Sequence, residues 1–157
     1  MKLVINIPCY NEQETLGLVL RELPKKIPGI DKIEIQVVDD GSTDKTIEVA
    51  KHYKVNRIIR HRKNQGLGVA FKSGMQAALE SGADIFVNTD ADNQYPSHYI
   101  SQLVQPIIRQ EADIVIGNRK PWKVKYFSPL KRFLQYIGNS ITRRILGSNV
   151  PDTVSGF

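Results

Sequence analysis

The chain has 157 residues, 41% of them hydrophobic and none in a low-complexity tract, which is enough for one domain with a packed core. Its single cysteine, Cys9, excludes an internal disulfide, fits a reducing compartment and leaves no Cys/His cluster for zinc, so Cys9 reads as a small packed residue. The formal charge of +6 is concentrated: between Asp113 and Asp152 there is no acidic residue but eight Lys or Arg, which predicts an anionic partner for the last third, namely substrate phosphate, a membrane surface or nucleic acid.

The opening run "MKLVINIPCY" is too short for a signal segment or a membrane span. "LVINI", "IEIQVV", "NRII", "DIFVNT" and "DIVIG" are short, rich in β-branched residues and separated by stretches of helical spacing. That alternation predicts an α/β domain, a mostly parallel central sheet with helices on both faces. In the first helix Asn11 is the expected cap, Glu14 stands at the capping-box position, and Leu16, Val19, Leu20 and Leu23 repeat at i, i+3, i+4 and i+7 before Pro24. A second helix follows "DDGSTD", with Ser42 or Asp44 as cap and Ile47 and Ala50 inward. A third follows "NQGLG", with Leu67, Ala70, Phe71, Gly74 and Ala78 along one face.

After the fifth strand, "DIVIG", the pattern changes. Lys120 to Pro129, with Trp122, Tyr126 and Phe127 among lysines, reads equally as a mobile lid or a surface loop. Leu130, Phe133, Leu134, Ile137, Ile141 and Ile145 then form the apolar stripe of a basic amphipathic helix, one that covers the core or lies on a membrane surface. No repeat or linker divides residues 1–157, so a single catalytic domain is expected. The ending on "DTVSGF" predicts a piece of a longer protein lacking its C-terminal part.

In an open α/β sheet, ligands bind beyond the carboxyl ends of the strands, so the loops there belong together. These are "PCYNE", "DDGSTD", "DADNQYP" and "GNRK". Neither G-x-G-x-x-G nor G-x-x-x-x-G-K-[ST] follows a strand, which removes both common nucleotide fingerprints. In an extended segment Asp90 and Asp92 project to one side, and two close carboxylates repel unless a cation lies between them or one is protonated. Hard oxygen ligands suit Mg²⁺ or Mn²⁺, with Gln94 a further donor. Alone this stretch is an ordinary turn; three supporting loops favour the metal. Of Asp39 and Asp40, one caps the next helix or braces its loop while the other accepts a hydrogen bond from a base edge bearing N–H donors, as in uracil or guanine. The ring of Tyr10 is placed to stack on such a base.

Taken together, "IPCYNE", "VVDDGSTD", "NQGLGVAFKSG", "TDADNQYP", "GNR" and "DTVSGF" resemble, in order and spacing, the inverting family 2 glycosyltransferases of GT-A fold. Within them the dolichyl- or polyprenyl-phosphate mannose and glucose synthases are the most similar group. The resemblance covers essentially the whole chain. It implies a Rossmann-like GT-A domain that moves a sugar from a UDP- or GDP-sugar to polyprenyl phosphate, or to a saccharide or other hydroxyl, with Mg²⁺ or Mn²⁺ as cofactor. Residue by residue, it implies nucleotide binding by Pro8, Tyr10, Glu12, Asp40, Asp90 and Ala91, and metal binding by Asp90, Asp92 and Gln94. It further implies catalytic roles for Asp92, Arg119 and Asp152, and contact with phosphate by Arg119, Lys131 and Arg132. Relatives continue past "SGF" with Arg, where this chain stops.

The implied reaction is one in-line displacement at the anomeric carbon, with charge gathering on the leaving diphosphate. A hydroxyl acceptor needs a general base, and Asp152 is the only acid after Asp113; a lipid phosphate is already anionic, and Asp152 then positions it. The expected location is the cytoplasmic side of a membrane, with no nucleic-acid partner. Two rivals fit less: a sugar-phosphate nucleotidylyltransferase needs a Gly- and Arg-rich loop where "IPCYNE" stands, and a non-catalytic Mg²⁺-binding receiver domain leaves "DADNQ" unused.

Overall fold

A computed structural model describes residues 1–92 and 96–117. Four strands form one parallel sheet in the order β3-β2-β1-β4: β1 (Lys2–Cys9), β2 (Lys32–Asp39), β3 (Arg57–Arg60) and β4 (Ile85–Asn88). Helices α1 (Leu16–Glu22), α2 (Thr46–His52) and α3 (Leu67–Glu80) make the crossovers. A 3-10 turn (Ser97–Tyr99) leads into the short helices α4 (Ile100–Leu103) and α5 (Gln105–Ile108). The parallel α/β architecture expected from the alternation is therefore present.

Period two in β1 sorts its side chains between two helical layers. Leu3, Ile5, Ile7 and Cys9 join Leu16, Val19, Leu20, Leu23, Ala50, Ile100 and Val104 in the main core. Each large aliphatic buried there contributes roughly 1.5–3 kcal/mol. The even positions face α3, whose Ala70, Gly74 and Ala78 are its buried residues. Small residues at that spacing let α3 sit close, and a buried amide ladder fills the gap. Asn6 pairs in register with Gln36 on one side and Asn88 on the other. Gln36 Nε2 donates to Asn6 Oδ1 and to the Gly74 carbonyl, each at 2.8 Å, and Asn6 Nδ2 donates to Asn88 Oδ1 at 2.8 Å.

Four expectations change. The first helix begins at Leu16, four residues late: Asn11 takes a left-handed φ of 57° and bonds the neighbouring loop, so neither it nor Glu14 caps. On α3, Leu67 is 63% exposed and Phe71 lies at the margin against Phe86, because the sheet needs small residues at the contact. The "DIVIG" segment makes no ladder among the described residues, and Ile114 is 80% exposed. An apolar run reads alike whether or not a sheet edge receives it, since pairing is not local. Finally β4 ends at Asn88, so Asp90 and Asp92 lie beyond the strand, with a turn at 91–92. Among the described residues no helix is long and apolar enough to cross a membrane.

Candidate active site

The ladder runs one step past the strand ends: Asp40 N donates to Cys9 O at 2.8 Å, His61 N to Asp39 O at 2.9 Å, and Thr89 N to Asn6 O at 3.0 Å. The loops that follow are thereby aligned at the carboxyl edge of the sheet.

Those after β1 and β2 are stitched together side chain to backbone. Asn11 N donates to Ser42 Oγ at 2.9 Å, Thr43 N to Asn11 Oδ1 at 2.9 Å, and Glu12 N to Thr46 Oγ1 at 2.8 Å. Gln13 N donates to Asp44 Oδ2 and Lys45 N to Gln13 Oε1, both at 3.1 Å. Asp44 Oδ1 also accepts from Thr46 N at 3.0 Å, so Asp44, one of the two residues expected to start α2, holds its first N–H, while Ser42 serves the other loop. Gly41 is required at the crossing: with φ at 79°, a Cβ there would stand 2.5 Å from the Lys63 backbone.

Within this frame a cavity of about 250 Å³ is lined by Pro8, Cys9, Tyr10, Glu12, Asp40, Leu67, Ala70, Asp90, Ala91 and Asp92. Every implied nucleotide-binding residue is there, along with two of the three implied metal ligands. They come together by a turn, not by the strand alternation anticipated for Asp90 and Asp92. Gln94, Arg119, Lys131, Arg132, Asp152 and the Lys120–Pro129 segment lie outside the described residues. Tyr10 is 47% exposed at the cavity rim. Cys9 is buried, its Sγ donates to Ile7 O at 3.4 Å, and burial pushes its thiol far above the ordinary range, which leaves it a packing residue.

The two neighbouring aspartates at the end of β2 divide their work. Asp39, fully buried, accepts from Ser42 N at 3.3 Å and faces Arg60 Nε at 3.5 Å, so it braces its loop. Asp40 holds the loop after β3: Oδ1 accepts from His61 Nδ1 at 2.7 Å and Gln65 N at 3.0 Å, and Oδ2 from Gly66 N at 2.8 Å and Gln65 N at 3.1 Å. Burial opposes ionisation of Asp40, yet the His61 hydrogen bond and the Gln65 and Gly66 N–H groups outweigh it and hold the carboxyl below its usual value. Asp44 is likewise lowered: burial opposes, and the bonds from Thr46 and Gln13 prevail.

Groups lowered on folding stabilise above their unfolded value, and that stability is lost as pH falls through the lower folded value. The contribution of Asp40 and Asp44 to unfolding free energy should therefore be level above pH about 5 and drop below about 4. Acid titration of wild type against Asp40→Asn should show a shallower fall in the variant. Equal profiles would remove Asp40 from this role.

Among the described residues no three His, Cys, Asp or Glu side chains cluster around a metal position. Asp90 and Asp92 nevertheless offer two hard carboxylates to one cavity, and such a pair suits a divalent ion that takes its other oxygens from phosphate and water. His61 belongs to no motif singled out in the sequence. Its only signal was position, directly after β3 at the carboxyl edge.

A family model described as glycosyl transferase family 2 matches residues 4–157. Dolichol-phosphate mannosyltransferase of Pyrococcus furiosus is 34% identical over 100% of this chain and 45% of its own length. Undecaprenyl-phosphate mannosyltransferase of Micrococcus luteus is 32% identical over 100% of this chain and 65% of its own. The chain thus spans less than two thirds of these relatives. Among solved structures, glucosyl-3-phosphoglycerate synthase of Mycobacterium tuberculosis in complex with UDP superposes with a TM-score of 0.65 at 20% identity, covering 99% of this chain and 55% of that one, a likeness of fold. The same synthase with Mn²⁺, UDP and glucosyl-3-phosphoglycerate gives a TM-score of 0.54 at 25% identity over 68% and 39%.

Proposed function

The chain belongs to glycosyl transferase family 2, and from that premise we propose that it moves a sugar, with inversion, from a nucleoside diphosphate to polyprenyl phosphate. The observation that carries this reading is the convergence of the loops after β1, β2 and β4 and the start of α3 on one cavity holding Tyr10, Asp40, Asp90 and Asp92. The exposed Tyr10 ring stacks on the base, with Pro8, Glu12, Asp40 and Ala91 around it, and Asp90 and Asp92 face the diphosphate. Asp90, Asp92 and Gln94 would hold Mg²⁺ or Mn²⁺, whose positive charge would offset that of the diphosphate.

An acceptor phosphate oxygen forms the new bond to the anomeric carbon as the bond to the diphosphate breaks, and the leaving group keeps the electron pair. The acceptor is already ionised, so Asp152 orients it rather than removing a proton. Arg119, Lys131 and Arg132 meet phosphate charge from a stretch with no acid between Asp113 and Asp152. The names of both relatives, which pair a polyprenyl-type phosphate with a mannosyltransferase, support this acceptor. The same basic stretch suits the cytoplasmic face of an anionic membrane, with Lys120–Pro129 as lid. Residues 1–157 would act as a single catalytic domain, in keeping with one family model that spans residues 4–157.

Thermal shifts with UDP, GDP, CDP and ADP, each with and without Mn²⁺, test the donor site. At a hundred times its Kd in the presence of the ion, one of them should add about 2.7 kcal/mol, or roughly 5–10 °C, and distinctly less without the ion. No metal-dependent shift with any of the four would overturn the reading. Transfer of labelled sugar to a saccharide but not to polyprenyl phosphate would move the acceptor to a hydroxyl, with Asp152 as its base.

A further inference from the structure

Behind the cavity wall stands a side chain that does not line it. His61 follows β3, its backbone N–H bound to Asp39 O at 2.9 Å and its side chain 9% exposed. Its Nδ1 lies 2.7 Å from Asp40 Oδ1, and its Nε2 lies 2.9 Å from Ser73 Oγ on α3. An ionised carboxylate only accepts, so the Asp40 contact assigns a proton to Nδ1; the Ser73 hydroxyl suits Nε2 in either role. The imidazole therefore spans from the end of β2 to the second turn of α3, the helix whose Leu67 and Ala70 line the cavity.

Resting on the nucleotide site proposed above, we infer that His61 is a positioning residue for the donor: it aims the Asp40 carboxylate and fixes how far α3 stands from it. Asp40 takes its other hydrogen bonds from Gln65 and Gly66 N–H, both in the loop leading into α3. His61 is the one described side chain bonded to both Asp40 and α3. It thus sets the width of this part of the pocket by the width of a ring.

Two near-isosteric variants separate this role from packing. Asn places its amide nitrogen where Nδ1 was and keeps the donor to Asp40; Gln places its nitrogen near Nε2 and keeps the Ser73 side while leaving Asp40 Oδ1 with the Gln65 N–H alone. In the full chain, the Kd of the nucleoside diphosphate giving the largest thermal shift should rise roughly tenfold for His61→Gln and stay within about threefold for His61→Asn, as expected for loss or retention of one bond to a charged group. The same order should appear in the donor KM with kcat within about twofold, since this interaction is made equally in ground and transition states.

Equal weakening by the two variants, or a larger effect of His61→Asn, would overturn the inference and leave the proposed function standing. A wild type that binds none of the four nucleotides overturns both. Should His61→Gln not fold, the wild type still decides: in Mg²⁺, the His61 Nδ1–H proton resonance should move as nucleotide is titrated in. A resonance unmoved at saturation would sink the positioning role.

Discussion

Asp92→Asn is expected to lower sugar transfer by about a thousandfold at saturating metal, the equivalent of roughly 4 kcal/mol of transition-state stabilisation. The substitution keeps the shape of the side chain and removes its charge. What is lost is the anionic pair formed with Asp90 at the cavity wall, and with it the affinity for a divalent ion beside a diphosphate. Apart from Ala91 the base-binding wall is built from other loops, so nucleotide binding without metal should persist in the variant while the metal-dependent part of the thermal shift disappears. Turnover within tenfold of wild type would take the metal role away from Asp92. Loss of both parts of the shift would point instead to collapse of the turn at 91–92.

Gly74→Ala should destabilise the fold by about 3 kcal/mol, the sum of overpacking and a broken buried hydrogen bond less the ~1 kcal/mol that Ala gains over Gly in a helix. A Cβ at this position would stand 2.2 Å from Asn6 Oδ1, 2.7 Å from its Cγ and 2.8 Å from its Nδ2. The Asn6 amide has nowhere to go, since Gln36 holds its oxygen and Asn88 accepts from its nitrogen. The strain therefore passes to α3, which must lift from the sheet and release the Gly74 carbonyl from Gln36. Melting should fall by roughly 6–12 °C for a domain of this size. Donor binding should weaken in parallel, because Leu67 and Ala70 ride on the same helix. A melting point within 2 °C of wild type would show that the ladder yields at little cost.

Much of this was legible before any coordinates. β-branched runs separated by helical spacing specify a parallel sheet, and strand ends rich in Asp, Asn and Gly specify where its ligand edge lies. Pro8, Tyr10, Glu12, Asp40, Asp90, Ala91 and Asp92 were singled out by motif, and all seven line one cavity. Less legible was what each polar side chain bonds to. Asn11 has the chemistry of a cap and serves instead as a brace to Thr43, because a loop eleven residues into the chain and another beginning at Asp40 meet only when β1 and β2 pair. His61 is silent for the same reason: its partners Asp40 and Ser73 are 21 and 12 residues away. The face of α3 misled because Leu67 and Phe71 fit the helical period, yet a crossover helix over amides needs small side chains where it touches. That requirement comes from Asn6 and Gln36, which read in the sequence as interruptions of apolar strands.

The amide ladder has a consequence for how this domain is inherited. Asn6, Gln36, Gly74 and Asn88 belong to four different segments, yet each supplies what another lacks: a donor, an acceptor, a carbonyl or an empty space. Replacing one alone strands a buried polar partner or drives atoms together, while replacing the set by apolar residues of matched volume removes the donors and acceptors of the ladder together. Descendants of this chain should therefore keep the four together or exchange them as a block, and positions 6, 36, 74 and 88 should drift in step.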